Sequence, residues 1–210
     1  FSESIKYAQT NGTHIVLAAK IAKDINRVPI DYLVQPNNYL MQANPYIGLV
    51  NQGIDNNSMT NKKYVIFSHL SDDLNKFYPS LALKSYLLYN DYNEIKNIDK
   101  VNNNIIRIND LEIKTIDNEA SLALNYYGPV SNIFNTFPTF SLSEVIDTED
   151  YNLSNYEDDN WMDKYINPNS PLYRLFKDKN PFENKIVIIG SSLEEDNDFV
   201  ISPYFNYKNI

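Results

Sequence analysis

The densest group of reactive side chains lies between residues 190 and 198. Gly190-Ser191-Ser192 follows the apolar run Ile186-Val187-Ile188-Ile189, and Glu194, Glu195, Asp196 and Asp198 come next. Small residues after an apolar strand can cradle a phosphate or raise a serine nucleophile, and clustered carboxylates can hold a hard cation. The spacing decides against each of these. A nucleophile elbow needs G-x-S-x-G, and no glycine stands two positions beyond either serine. Neither G-x-x-x-x-G-K-[ST] nor G-x-G-x-x-G is present. A calcium loop counted from Glu194 puts Phe199 where glycine is required and Phe205 where a bidentate glutamate is required. What the spacing supports is a small-residue turn out of a sheet, followed by acidic residues suited to a helix start. A hydrolase with a carboxylate site around Glu194 to Asp198 stands as the alternative.

The remaining chemistry is sparse. His14 lies in the apolar segment "THIVLA" and His69 lies near Asp72 and Asp73. A metal or acid-base role at His69 stays open, but two distant histidines without a helical H-x-x-x-H are a weak signal, and no Ser/His/Asp set can be assembled from spacing. With no cysteine in the chain, disulfides, thiolate zinc sites and cysteine nucleophiles are excluded. A net charge of −9 opposes general nucleic-acid binding and docking on an anionic membrane, both of which need clustered Lys and Arg. No apolar run approaches the length of a spanning helix. No cofactor motif is present.

The elements that must carry these residues alternate between helix and strand. "FSESIKYAQTNG" predicts a helix with Phe1, Ile5 and Ala8 on one face, stopped by Asn11-Gly12. "THIVLAAKI" predicts a buried strand, "GLVNQ" (48–52) a short strand, and "KKYVIFSHL" (62–70) a better-defined one. "YPSLALKSYLLYN" predicts a helix with Pro79 in its first turn. Between Leu81 and Tyr89 only Lys84 and Ser85 are polar, so it is expected to be buried on most sides. Short strands follow in "NIIRI", "LEIKTI" and "SLALNYY", the last ended by Gly128-Pro129. Asn125 interrupts that strand, and a polar side chain there needs partners if it is buried. Ser141 and Glu144 have capping-box spacing, with Leu142, Val145 and Ile146 expected to face a core. Residues 147–169 read as an acidic excursion, and "SPLYRLF" as a short helix. "KIVIIG" predicts a strand buried on both faces, as inside a parallel sheet. One α/β domain is expected, with a mixed, partly parallel central sheet flanked by helices.

Several segments also resemble, in order, the CHASE domain of the second type, an extracellular sensory domain associated with cyclases and histidine kinases. "IKYAQTNGTHIVLA" is similar to the family's helix and "VVLA"-like strand. Gly48-Leu49-Val50-Asn51 matches its G-x-V-N segment, and Pro79-Ser80-Leu81-Ala82-Leu83 its P-S-L-A-L helix start. Leu124 to Pro129 resembles its "INYRGP" turn, with Tyr127 in place of Arg. Phe140 to Ile146 resembles "YSFADVL". "FENKIVIIGSS" resembles "FKGKIVLIGAT", with Asn184 in place of a Gly, and "DFVISPYF", which includes Pro203, resembles the closing "DxFxTPF".

The resemblance implies an extracytoplasmic sensory module without catalytic activity of its own. It implies a fragment trimmed at both ends, whose receptor reaches the membrane through flanking helices. It also implies coupling of a small-molecule or environmental ligand to a cytoplasmic nucleotide cyclase or protein kinase, with a homodimeric receptor. Ligands of parallel α/β sheets bind beyond the carboxyl ends of strands, which makes Gly190, Ser191, Ser192 and Asp198 the candidate ligand contacts. Asn125, Gly128, Pro129, Pro79, Ser80 and Pro203 would be architectural.

Overall fold

The computed structural model of the 210-residue chain describes residues 1–50, 63–116, 120–125, 140–146, 168–169 and 180–190. The architecture is mixed α/β, with several small sheets, one of them partly parallel. The chain divides into two compact units, Phe1–Asn125 with Ser191–Phe205, and Tyr126–Gly190 with Asn206–Ile210.

The first unit opens with helix α1 (Ser2–Thr10), which buries Ile5 and leaves Phe1 exposed. Its end is a Schellman turn. Thr13 N–H donates to the Ala8 carbonyl at 3.0 Å and Gly12 N–H to the Gln9 carbonyl at 3.1 Å. Gly12 stands at φ +84°, a conformation that costs glycine nothing.

Strand β1 (Val16–Lys23) is central to a three-stranded sheet, antiparallel to β2 (Asp31–Val34) and parallel to β3 (Tyr46–Leu49). Between β2 and β3 lies the short helix α2 (Asn38–Met41), whose cap Asn37 accepts a hydrogen bond from Leu40 N–H at 3.0 Å. The expectation that β1 is buried holds only in part. Ala19 is buried, whereas Ala18 and Lys20 are exposed.

The apolar stretch after residue 62 makes two strands, β4 (Lys63–Val65) and β5 (Phe67–Leu70), with Ile66 buried between them. β5 pairs antiparallel with β6 (Asp73–Pro79), and β4 with β10 (Ser121–Ala123). Two backbone bonds run through the junction, Ser80 N–H to the Ile66 carbonyl at 2.7 Å and Ile66 N–H to the Ala120 carbonyl at 3.0 Å. A parallel bridge from Leu49 to Ser80 then ties these strands to β3.

Helix α3 (Leu81–Tyr89) starts directly after β6. Pro79 is the last strand residue, paired with Phe67, and not part of the first helical turn. Ser80 is the cap, and its Oγ accepts from Leu83 N–H at 3.2 Å. The helix is buried on one face only, through Leu83, Lys84, Leu87 and Leu88, while Ala82, Tyr86 and Tyr89 are exposed. A meander of β7 (Ile98–Asn102), β8 (Ile105–Ile108) and β9 (Leu111–Lys114) completes the unit. Alternation along β8 puts Ile106 and Ile108 into the core with Ile66, Leu83, Leu87 and Ala120.

In the second unit, α4 (Leu142–Ile146) follows Ser141, whose carbonyl accepts from Val145 N–H at 3.2 Å. Leu142 and Ile146 are exposed, contrary to their expected place in a core. Phe140 and Phe182 pack with ring centroids 4.9 Å apart and planes tilted by 57°. Asn180 shapes the turn at 181–184 by accepting from Phe182 N–H at 2.9 Å through its side chain. Asn184 has φ +53°, the left-handed conformation that favours Gly and tolerates Asn.

The largest correction concerns Lys185–Gly190. These residues form no strand, and Ile188 and Ile189 are 82% and 77% exposed. An apolar run becomes a doubly buried strand only if ladder partners flank it, and among the described residues this run has none.

Candidate functional site

The candidate site forms inside the first unit, where three elements converge. β3 supplies Tyr46 to Leu49, the end of β6 supplies Lys76 to Pro79, and α3 supplies Lys84. Asn93, Glu94 and Ile95, in the connection from α3 to β7, close one side. The cavity measures about 630 Å³, within the ordinary size of small-molecule sites.

The sequence positions its central residue simply. Helical spacing puts Lys84 on the stripe of Leu83, Leu87 and Leu88 that faces the sheet. The residue is only 9% exposed. Its Nζ donates to the Asn93 carbonyl at 2.8 Å and sits 4.4 Å from the centre of the Tyr46 ring. Tyr46 is held in turn. Its hydroxyl lies 3.3 Å from Asn93 Oδ1, and His14 packs edge-on at 5.8 Å between ring centroids. Burial pushes the Lys84 ammonium below the usual lysine range, and the Glu94 carboxylate acts in the opposite sense. An aromatic face and one carbonyl thus stabilise a buried cation.

Close approach of the elements makes this arrangement possible. A Cβ at Gly48 would lie 2.5 Å from Leu81 Cα, so glycine alone lets β3 run against the start of α3. A second polar contact binds β2 to the turn after β5. The Asp31 carboxylate accepts from Ser71 N–H at 3.1 Å and from the Ser71 hydroxyl. These bonds hold the Asp31 carboxyl below its ordinary range, mainly through the hydroxyl.

The residues expected to contact ligand fare differently. Gly190 is exposed, with open space where a Cβ would stand. Ser191, Ser192, Asp198, Gly128, Pro129 and Pro203 lie outside the described residues, as do the Glu194 to Asp196 carboxylates. Pro79 lines the cavity and Ser80 caps the helix beside it. Asn125 is exposed, beyond the end of β10. His14 and His69 are also exposed, and among the described residues no group of three His, Asp or Glu could hold a metal. Sequence reasoning missed Lys84, Tyr46, Asn93 and Glu94 as site residues. A signal for Lys84 existed, since a single cation inside an apolar helical stripe must find a partner or a cavity.

Comparison with known families places the chain. The CHASE2 domain family matches residues 1–209, and the chain belongs to that family. Its members are sensory extracellular domains. No curated protein and no solved structure matches the chain. Among the described residues, no helix is long and apolar enough to cross a membrane.

Proposed function

We propose that the chain is the extracytoplasmic ligand-sensing module of a bacterial transmembrane receptor, and that it passes the bound state to a cytoplasmic nucleotide cyclase or protein kinase. The observation that carries this reading is the family match along residues 1–209. The cavity around Lys84 supports it, because a sensor needs a place for a ligand and this one carries a buried, incompletely partnered cation. Binding alone does not signal. The ligand must favour one arrangement of the receptor over another, since equal affinity for both shifts nothing. In a homodimeric receptor, a changed relation between the two sensors is an output that membrane helices can carry.

Location and coupling are tested in the full-length receptor. Alkaline phosphatase inserted at the exposed turn Asn103-Asn104 should be active, and a fluorescent protein that matures only in the cytoplasm should stay dark there. The opposite pattern would place the module inside the cell and end the reading. The chain has no native cysteine, so single engineered cysteines within it report sensor–sensor proximity with no background from the sensor itself. Cross-linking that changes together with cyclase or kinase output is the expected result, and output from a strictly monomeric receptor would remove the dimer.

A further inference from the structure

We infer that the cavity between β3, β6 and α3 takes a small organic monocarboxylate, its carboxylate on the Lys84 ammonium and its apolar body against Ile47, Phe77 and Ile95. The inference rests on the sensory reading above and adds to it a ligand class and a contact residue.

The first support is the state of Lys84. An ammonium has three donor protons, and a buried one is costly unless it is paired. Lys84 is buried, gives one proton to the Asn93 carbonyl at 2.8 Å and turns toward the Tyr46 ring at 4.4 Å. No carboxylate of the described residues forms an ion pair with it; Glu94 acts on it only through space. The structure therefore holds a positive charge at a cavity wall with donor capacity left over, which an anionic oxygen would satisfy.

The second support is the charge that the described residues bring to the cavity. Among them the lining carries two lysines, Lys76 and Lys84, and one glutamate, Glu94, a net of +1. That balance accepts one negative charge. A dianion such as phosphate would meet Glu94 with its second charge, and among the described residues the lining offers no arginine to clamp it in a bidentate grip. The third support is the rest of the wall. Ile47, Phe77 and Ile95 give apolar surface, so the anion should carry a hydrocarbon or aromatic body.

The test uses the 210-residue chain with butyrate, hexanoate and 3-phenylpropionate, followed by calorimetry and by amide NMR shifts at Ile47 and Asn93. The neutral 3-phenylpropionamide and inorganic phosphate are the controls. The expected result is saturable binding of at least one carboxylate. Loss of a charge-assisted hydrogen bond should weaken the amide by about tenfold or more. Lys84→Met should weaken the carboxylate by a similar factor, with circular dichroism confirming its fold. Glu94→Gln should tighten it, which keeps the idea testable should Lys84→Met not fold. Silence with all three carboxylates, an amide that binds as well as its acid, tighter binding of phosphate, or weaker carboxylate binding to Glu94→Gln would overturn the inference. The reporter insertions above are independent of these titrations. An extracytoplasmic module that ignores carboxylates would cost the ligand class alone, and a cytoplasmic one would cost the sensory reading.

Discussion

Gly48 on β3 and Leu81 at the start of α3 meet so closely that a Cβ on Gly48 would sit 2.5 Å from Leu81 Cα and 3.0 Å from its backbone nitrogen. The two residues belong to separate sequence segments, G-L-V-N and P-S-L-A-L. Their contact is where the parallel pair β1–β3 is locked to the strand–helix junction at Ser80.

Gly48→Ala should therefore destabilise the fold. The obstructing atoms are backbone, so the strand or the helix must move, at a cost of about 1–3 kcal/mol by analogy with overpacked cores. Urea denaturation measures this, and an unchanged midpoint would show that α3 can shift freely.

Ser80→Ala should cost about 1 kcal/mol, in the usual range for a lost helix cap. Ser80 is 1% exposed, so water cannot easily replace its oxygen at Leu83 N–H. Thermal unfolding should show the loss, and faster hydrogen exchange at Leu83 would trace it to the cap.

Asp31 should titrate below the ordinary aspartate value of 3.8, chiefly through the Ser71 hydroxyl. Its folded value is depressed, so the associated stability is present above 3.8 and is lost as pH falls through the lowered value. Carboxyl NMR should show the midpoint rising in Ser71→Ala. An equal midpoint in both proteins would refute the hydroxyl's role.

Lys84 should leave a mark at the alkaline end. Its folded value lies below the ordinary 10.5, mainly through burial. Between the two values the unfolded chain binds more protons than the folded one, so stability rises with pH there. Subtracting the curve of Lys84→Met isolates this slope from the tyrosines. A flat difference between pH 8 and the ordinary value of 10.5 would contradict the burial of the charge.

Asn125→Leu should leave the melting temperature almost unchanged, within the half kcal/mol or so typical of surface sites. The side chain is exposed and ends no buried ladder. A marked loss of stability would mean that Asn125 has a structural role that its exposure does not suggest.

Local patterns were enough to read much of this chain. Helical spacing and Asn11-Gly12 located α1 and its stop, because a Schellman turn is made within six residues. The short strands expected in "NIIRI" and "LEIKTI" are β8 and β9, since each forms within a local meander. The ordered family segments pointed to the CHASE2 family that the match over residues 1–209 shows. What local pattern could not supply was partnership across distance. Ile186 to Ile189 have the composition of a central strand, yet exposure and pairing are decided by which strands lie alongside, and none of the described ones does. Pro79 has the right residue type for a first helical turn, but its ladder with Phe67 makes it the end of a strand. Lys84 is one polar residue in an apolar helix when read along the chain. Only the folding of β3 and of residues 93–95 around it brings a ring and a carbonyl to its ammonium and leaves a cavity at its side, because those groups come from segments 38 and nine positions away.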